Sequence, residues 1–352
     1  MAELVSQDIR ESSETVYNHK WQVFCDWCKG KGINTTTAKS QDVADFLLML
    51  FVEKGLAVKT IMGYKAAISK TLMFTSKVDL NDQYLRALLS NFHNNRPANC
   101  TEYPKWNLSL VLNALTSEPY EPMKEASMLA WTKKTAFLLL LASGARRSEI
   151  HALDIKSCYI ADDKKSMFLK PRKKFLAKNH QTSTGRGRFQ GFWIKSMADY
   201  LGADMHDVDG TLCPVRAMTE YMERTKNSRK DIRQLLLAVP RSKSHKIKPA
   251  NKNTISSWIK HVVGEAYLNV PDDSPYRLDR SAHEVRALAA SLCAYKNVAI
   301  DSILAQCRWQ KESTFSSFYL REMRGTEDGM HRLPPFMAAG AVITPGQPPT
   351  AP

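Results

Sequence analysis

The sequence has no long apolar run, and this excludes a membrane-spanning helix. Among its 352 residues the longest apolar runs cover 46–52 and 136–142, whereas a span needs about 18 to 20 apolar residues. Runs of this length predict buried helices. The opening segment MAELVSQDIRESSE is acidic and polar, so we expect no secretory signal there.

A disulfide framework is also absent. The seven cysteines are an odd and scattered set, which is typical of a protein from a reducing compartment. Cys25 and Cys28 form the one CxxC pair, but a structural zinc site would need a second ligand pair at a suitable spacing. We therefore expect these cysteines to pack as small apolar residues, and we expect no metal or cofactor.

The sequence lacks the residues that two classes of enzyme need for catalysis. Paired aspartates occur only at 162–163 and 272–273, beside Lys or Pro in polar segments, where they are typical of turns rather than of a two-metal nuclease or transposase. A GxSxG motif is absent, which disfavours a serine hydrolase.

Basic residues are abundant instead. The chain has 50 Lys and Arg against 35 Asp and Glu, a formal charge of +15. The excess is spread along the chain, which favours an extended phosphate backbone as the partner. A basic protein that is merely soluble remains the alternative at this point.

Helical spacing dominates the first hundred residues. Apolar residues predict helices near 17–28, 40–53 (with Ser40 as the cap), 58–74 and 82–92, so 1–93 should be an all-helical domain. The segment 94–104 is rich in Asn and Pro and predicts a linker.

The second domain should span 105–324 and combine helices with a small β section. Helices are predicted at 108–115, 124–142, 214–224, 254–267, 282–294, 299–307 and 313–322, and strands at 157–160, 167–169 and 189–194. A polar and basic loop lies between the last two strands. Residues 325–352 should form a flexible tail, in which FMAAGAV is a candidate docking segment.

Four motifs follow one another in this second domain: GARRSEI at 144–150, HEVR at 283–286, Trp309, and FYLRE at 318–322. Each is weak alone, but their order, with the basic loop between the first two, resembles the tyrosine recombinase (phage integrase) family. The resemblance covers roughly residues 105–324. It implies a mainly α, DNA breaking-rejoining catalytic domain behind a SAM-like core-binding domain, closing as a C-shaped clamp on duplex DNA.

The resemblance also assigns roles. Arg146 and Arg286 would grip the non-bridging oxygens of a scissile phosphate, because guanidiniums offer forked donors and stay protonated. Tyr319 would attack and be kept as a phosphotyrosine, which conserves the energy of the linkage for rejoining without ATP. The supporting roles would fall to Glu149, His283 and Trp309. The interval from Trp309 to Tyr319 is one residue longer than is common among bacterial members.

A lysine of the basic hairpin would protonate the leaving 5′ oxygen. The candidates are Lys170, Lys173, Lys174 and Lys178, and the context FLAKN favours Lys178. The side chains expected to contact DNA phosphates are Lys59, Lys70, Arg172, Lys173, Lys174, Arg186 and Arg188.

Three longer phrases, FLAKNHQTS, LCPVRAMTEYMERT and WQKESTFSSFYLRE, resemble the recombinases of DIRS-type retrotransposons and related eukaryotic elements. This implies integration or excision of a mobile element, in the nucleus if the element is eukaryotic and otherwise in the cytoplasm or nucleoid. The family further implies a homotetramer on two DNA sites.

Other interpretations remain open. A type IB topoisomerase shares the chemistry, and a domesticated DNA-binding protein could retain the fold without the reaction. Thr314, Phe315, Phe318 and Tyr319 have helical spacing, so an ordinary aromatic core would give the same pattern. Glu149 could be a surface carboxylate.

Overall fold

The structure, a computed structural model, describes residues 11–77, 79–80, 82–97, 105–178, 189–202, 207–239, 247–268 and 281–321. By its internal contacts the chain divides into two units, Met1–Cys100 and Thr101–Pro352. None of the helices within these ranges is both long and apolar enough to cross a membrane. The fold is mainly α with a small β section, as predicted.

In its described residues the first unit has four α-helices: α1 Glu11–Gly30, α2 Ser40–Val52, α3 Val58–Thr75 and α4 Gln83–Asn95. Their apolar faces meet in one core that includes Phe24, Phe46, Ile61 and Leu85, all fully buried. Cys28 is also fully buried, and burial raises the pKa of its thiol to about 11. It therefore packs as an apolar residue.

The expected cap of α2 is wrong. Ser40 is the first residue of the helix, and the backbone N–H of Lys39 donates to the carboxylate of Asp42 at 2.7 Å. Ser40 instead donates its hydroxyl to Asp82, whose other oxygen accepts from the N–H of Leu85 at 2.7 Å and caps α4. The two helix starts are thus tied together, which sequence spacing alone does not reveal.

The second unit has ten helices in its described parts. They are α5 Leu108–Ala114, α6 Met128–Ser143, α7 Arg147–His151, α8 Met197–Leu201, α9 Asp207–Thr211, α10 Pro214–Thr225, α11 Lys252–Ala266, α12 Ala282–Tyr295, α13 Ile300–Cys307 and α14 Glu312–Phe318.

Helix α6 is the centre of this unit and is buried from Ala130 to its end at Ser143. Helices α10, α11 and α12 pack around it. Its two buried lysines are paired: Lys134 donates to the Leu115 carbonyl at 2.7 Å and to Glu121 at 2.6 Å, and Lys133 donates to Glu265 at 2.7 Å. Buried charges need such partners, so the interior of this unit tolerates them.

The described part of this unit also contains two small antiparallel sheets. The first has the order β1 Tyr159–Ile160, β2 Ser166–Leu169, β3 Phe192–Lys195, and the second pairs β4 Leu237–Ala238 with β5 Lys248–Pro249. In the first sheet Met167 pairs with Ile194, and both are buried against the core.

Several boundaries differ from the sequence prediction. Helix α6 begins at Met128 rather than 124, because Ser127 caps it by accepting from the N–H of Ala130 at 3.2 Å. Helix α14 ends at Phe318 rather than 322, and Tyr319 has left the helical conformation, with φ −125°. The short elements α7, α8, α9, β4 and β5 were not predicted, since they span only two to five residues.

Candidate active site

The arginine motif lies where α6 turns into α7. Gly144 ends α6 in the left-handed conformation, with φ 55°, which glycine adopts without strain. Arg146 is then extended as the cap residue of α7, and its backbone N–H donates to the Glu149 carboxylate at 2.7 Å. The Arg146 guanidinium donates to the same carboxylate at 3.0 Å. This loop aims Arg146 and fixes it at both its main chain and its side chain.

Glu149 is the electrostatic centre of the site. Its side chain is 0% exposed, so the surface interpretation is wrong. Arg308 donates to both of its oxygens, at 3.3 and 2.5 Å, and Arg286 approaches to 4.0 Å. Burial alone would raise the pKa of Glu149, but Arg308, Arg286 and Arg146 together hold that pKa below its usual value. Glu149 therefore stays ionised and holds the arginines in place.

Arg308 was missed by the sequence analysis. It follows α13 with φ 55°, a backbone conformation that residues other than Gly and Asn rarely adopt. Its guanidinium lies 4.6 Å from the ring centroid of Phe189. The adjacent Trp309 was the only signal in the sequence that pointed to this segment.

Arg286 lies almost entirely inside the protein, with 1% of its surface exposed. Its Nη1 donates to the Gly144 carbonyl at 2.6 Å and its Nη2 donates to the Cys307 carbonyl, so it joins α12 to the ends of α6 and α13. Its Nε is buried and has no hydrogen-bond partner among the described residues. The guanidinium also lies 4.6 Å from the centroid of the Trp309 ring.

Arg146, His283 and Arg286 line one cavity of about 540 Å³. No carboxylate is among its described lining residues, and three further cations face it: Arg147, Lys252 and Lys260. Arg147 is positioned by donating to the Ser256 hydroxyl at 2.6 Å. The charge of this lining favours an anion, and the forked donors of its guanidiniums match the geometry of phosphate oxygens.

His283 lies in the first turn of α12 and lines this cavity. Partial desolvation, together with the positive charges of Arg286, Arg146 and Lys178, lowers the pKa of His283 to about 4. The imidazole is therefore neutral at pH 7 and able to accept a proton. Lys178 is thus near enough for its charge to act on the His283 ring.

Tyr319 lies against His283 and Trp309, with ring-centroid distances of 5.4 and 4.5 Å. The Arg286 guanidinium lies 5.5 Å from the Tyr319 ring centroid. Trp309 is 6% exposed, and its indole N–H has no hydrogen-bond partner among the described residues. Phe318 is 61% exposed, so the aromatic residues of α14 do not form one core face.

The main chain around Tyr319 is anchored to α12. The hydroxyl of Ser291 donates to the Tyr319 carbonyl at 3.0 Å, and the N–H of Arg321 donates to that hydroxyl at 2.8 Å. Arg321 then pairs with the buried Glu284 through two bonds of 3.0 Å. Ser291 and Glu284 belong to the helix that carries His283 and Arg286, so one element positions both sides of the site.

The remaining predicted residues lie elsewhere. Arg172, Lys173 and Lys174 line a second cavity of about 440 Å³ together with Arg233. Lys59 and Lys70 both lie on α3. Arg186, Arg188 and the FMAAGAV segment fall outside the described residues. In the described ranges no three His, Cys, Asp or Glu side chains are grouped closely enough to hold a metal ion.

No protein-family model matches the sequence, and no curated protein matches it. Solved structures do match the fold. The integrase of transposon Tn1549 in complex with transposon right end DNA is 14% identical, with 91% of this chain and 93% of that chain covered and a TM-score of 0.57. A lambda integrase dimer bound to a COC′ core site is 13% identical, with 94% and 95% covered and a TM-score of 0.51.

A lambda integrase tetramer bound to a Holliday junction is 15% identical, with 94% of this chain and 77% of that chain covered and a TM-score of 0.51. Identities this low relate the chains by fold alone. The chain has the fold of the tyrosine recombinases.

Proposed function

We propose that this chain is a tyrosine recombinase that breaks and rejoins DNA strands through a covalent bond between Tyr319 and a 3′ phosphate. One observation carries the proposal: Arg146, His283 and Arg286 line a single cationic cavity, and the Tyr319 ring packs on His283 with the Arg286 guanidinium beside it. The motifs that are far apart in sequence thus meet in space.

In the proposed first step the Tyr319 oxygen attacks the scissile phosphorus, and the bond from phosphorus to the 5′ oxygen breaks. Arg146 and Arg286 stabilise the charge that develops on the non-bridging oxygens, a contribution of roughly 3 kcal/mol for each well-placed donor. The His283 ring, which its lowered pKa keeps neutral, accepts the phenolic proton once the negative phosphate offsets the surrounding positive charges. The unpartnered indole N–H of Trp309 is a further donor for a phosphate oxygen.

The leaving 5′ oxygen must gain a proton, and we assign this role to Lys178. Its support is positional: Lys178 acts on His283 through its charge, whereas Lys173 and Lys174 line the other cavity with Arg233. Rejoining reverses both steps, so the energy of the linkage is retained.

We further propose that the protein serves a mobile element, related to the DIRS-type retrotransposons, and works as a homotetramer on two DNA sites, in the nucleus of a eukaryotic host. The C-terminal FMAAGAV segment would pass to a neighbouring protomer. Deleting residues after Gly325 should then abolish recombination and leave binding of a single site intact. Loss of neither function, or of both, would contradict the exchange.

The decisive experiment uses nicked suicide DNA, which traps the covalent intermediate because the released strand diffuses away. The parent protein should form an SDS-resistant adduct in EDTA, and Tyr319→Phe should form none while binding the same DNA. If the parent binds the DNA and gives no adduct under any condition, the protein is a DNA-binding relative without the reaction. Relaxation of plasmid with no strand exchange would favour a topoisomerase.

A second experiment tests the lysine. A 5′-bridging phosphorothiolate leaves without a proton, so it should restore cleavage by Lys178→Ala. Rescue of Lys173→Ala or Lys174→Ala instead would show that Lys178 is not the acid.

A further inference from the structure

An exposed row of aromatic side chains crosses the three-stranded sheet of the second unit. Tyr159 pairs with Phe168, and Phe168 pairs with Trp193, in register across β1, β2 and β3. Residues directly opposite each other in antiparallel strands share one face. Tyr159 is 53% exposed and Trp193 is 43% exposed, so this face is open to solvent.

The opposite face of the same sheet is buried against the core. Met167, Leu169, Phe192 and Ile194 alternate with the exposed aromatics and are buried in the core of the unit. Large apolar rings are usually found on the buried face of a sheet whose other face is exposed to solvent. The outward aromatics therefore require a reason other than folding.

Two rings of this row pack against each other, and a glycine leaves room for one of them. Phe168 and Trp193 lie 5.1 Å apart between ring centroids, inclined by 40°. Gly191 has φ +117°, and a Cβ there would lie 2.9 Å from the Phe168 ring and 2.4 Å from the Leu169 carbonyl oxygen. A side chain at position 191 would displace the Phe168 ring, so glycine preserves the row.

Two lysines flank the row on its outward face. At the next outward-facing positions lie Lys170 in the chain after β2 and Lys195 in β3, and none of the outward positions of the three strands is a carboxylate. Lys195 forms a 3.2 Å pair with Asp199 and remains 43% exposed. Beyond Lys170 the chain continues to the second cavity, whose lining combines Arg172, Lys173 and Lys174 with an ion pair between Arg233 and Asp154.

We propose that this face, the Tyr159–Phe168–Trp193 row with Lys170 and Lys195, binds a short single-stranded nucleic acid. Unpaired bases stack on aromatic side chains while cations hold the phosphates. A duplex offers no base faces to such a row, because its bases are already stacked on each other. The face shares no residue with the cavity beside Tyr319, so it is a separate site.

The proposal is tested with the full-length chain and a short fluorescent oligothymidylate, by fluorescence anisotropy. A matched oligomer of equal length, abasic throughout, carries the same phosphates and should bind about tenfold more weakly or worse. Trp193→Leu and Tyr159→Leu should each weaken binding of the oligothymidylate roughly 5- to 100-fold. Trp193→Phe keeps a stacking ring and should stay within about threefold of the parent.

Tyr295→Leu is the matched control, since Tyr295 is 46% exposed at the end of α12 and lies off the sheet; its affinity should match the parent. The same variants should bind duplex DNA unchanged, which shows that they are folded and separates this result from the fate of Tyr319 chemistry. Equal affinity for the abasic oligomer, or undiminished binding by Trp193→Leu, overturns the proposal. A change in self-association with unchanged oligonucleotide affinity would also overturn it, because the face would then join two copies of the chain.

Discussion

At the scale of single residues, Glu149 is held by three guanidiniums although it is fully buried. Removing one partner of a buried ion pair leaves the other charge buried without a counter-charge, which destabilises the fold. We expect Arg308→Met to destabilise the protein by about 2–3 kcal/mol, at or below the low end of the roughly 3–5 kcal/mol typical of a broken buried pair, because Arg146 and Arg286 remain. Thermal and urea unfolding would measure the loss.

Two further variants separate the causes of that loss. Arg308→Gly removes the same ion pair but relieves the φ of 55°, so it should be about 1 kcal/mol more stable than Arg308→Met. Lys195→Met removes an exposed pair with Asp199 and should change the stability by less than about 1 kcal/mol. If all three variants lose the same free energy of unfolding, the buried ion pairs of Glu149 stabilise the fold no more than an exposed pair does.

His283 gives a prediction about pH. Desolvation and the cations Arg286 and Arg146 lower its pKa from 6.5 to about 4, so the unfolded chain takes up a proton between those pH values and the folded chain does not. Stability should therefore fall as the pH drops from about 6.5 towards about 4. NMR of the imidazole ring, assigned with His283→Gln, should show a midpoint near 4 that rises when inorganic phosphate is added.

Chloride at the same ionic strength is the control for the phosphate effect. A His283 midpoint near 6.5, unmoved by phosphate, would mean that the guanidiniums do not act on the ring. The cavity would then not be the anion site inferred from its lining.

At the scale of elements, the segment after α14 is held to α12 by the Ser291 hydroxyl and by the buried pair of Arg321 with Glu284. Arg321→Met should free this segment and lower the cleavage rate about tenfold or more, with DNA affinity unchanged. Single-turnover cleavage and binding measured on the same nicked duplex would show the split. The exposed Glu312 offers a control, since Glu312→Gln should alter neither quantity.

The sequence could predict elements where a local signal exists. GARRSEI predicted the Arg146 loop, because the glycine that ends α6 and the acidic residue three positions after the cap act locally. Lys252 and Lys260 on α11 and Arg308 after α13 reach the site through tertiary packing, which no local sequence pattern predicts. The strands β4 and β5 are two residues long, which is too short for any periodicity.

The roles of the site residues remain predictions of a different kind. Spacing placed Trp309 and Tyr319 in order along the chain, and the structure brings both rings to Arg286. Proximity follows from the fold, whereas cleavage depends on a bound phosphate. The adduct experiment therefore tests what neither sequence nor packing decides.

In an assembly of several protomers, Tyr319 could act either in the active site of its own protomer or in that of a neighbour. Its carbonyl is bonded to Ser291 on α12, its ring packs on Trp309, and Arg321 two residues later is paired with Glu284. Reaching a neighbouring protomer would break these contacts, and a buried ion pair alone costs about 3–5 kcal/mol to break. We therefore expect each protomer to cleave with its own tyrosine.

Mixing two inactive variants tests this expectation. Arg146→Gln retains Tyr319, and Tyr319→Phe retains the arginines, so a tyrosine supplied by a neighbour would restore adducts in the mixture. We expect none on nicked suicide DNA, because no protomer then holds both groups. Each variant mixed with the parent protein should still give adducts, which shows that neither blocks assembly. Adducts in the mixture of the two variants would mean that Tyr319 leaves Ser291 and Trp309 in the assembled complex, and that the arrangement around α12 is not the one that cleaves DNA.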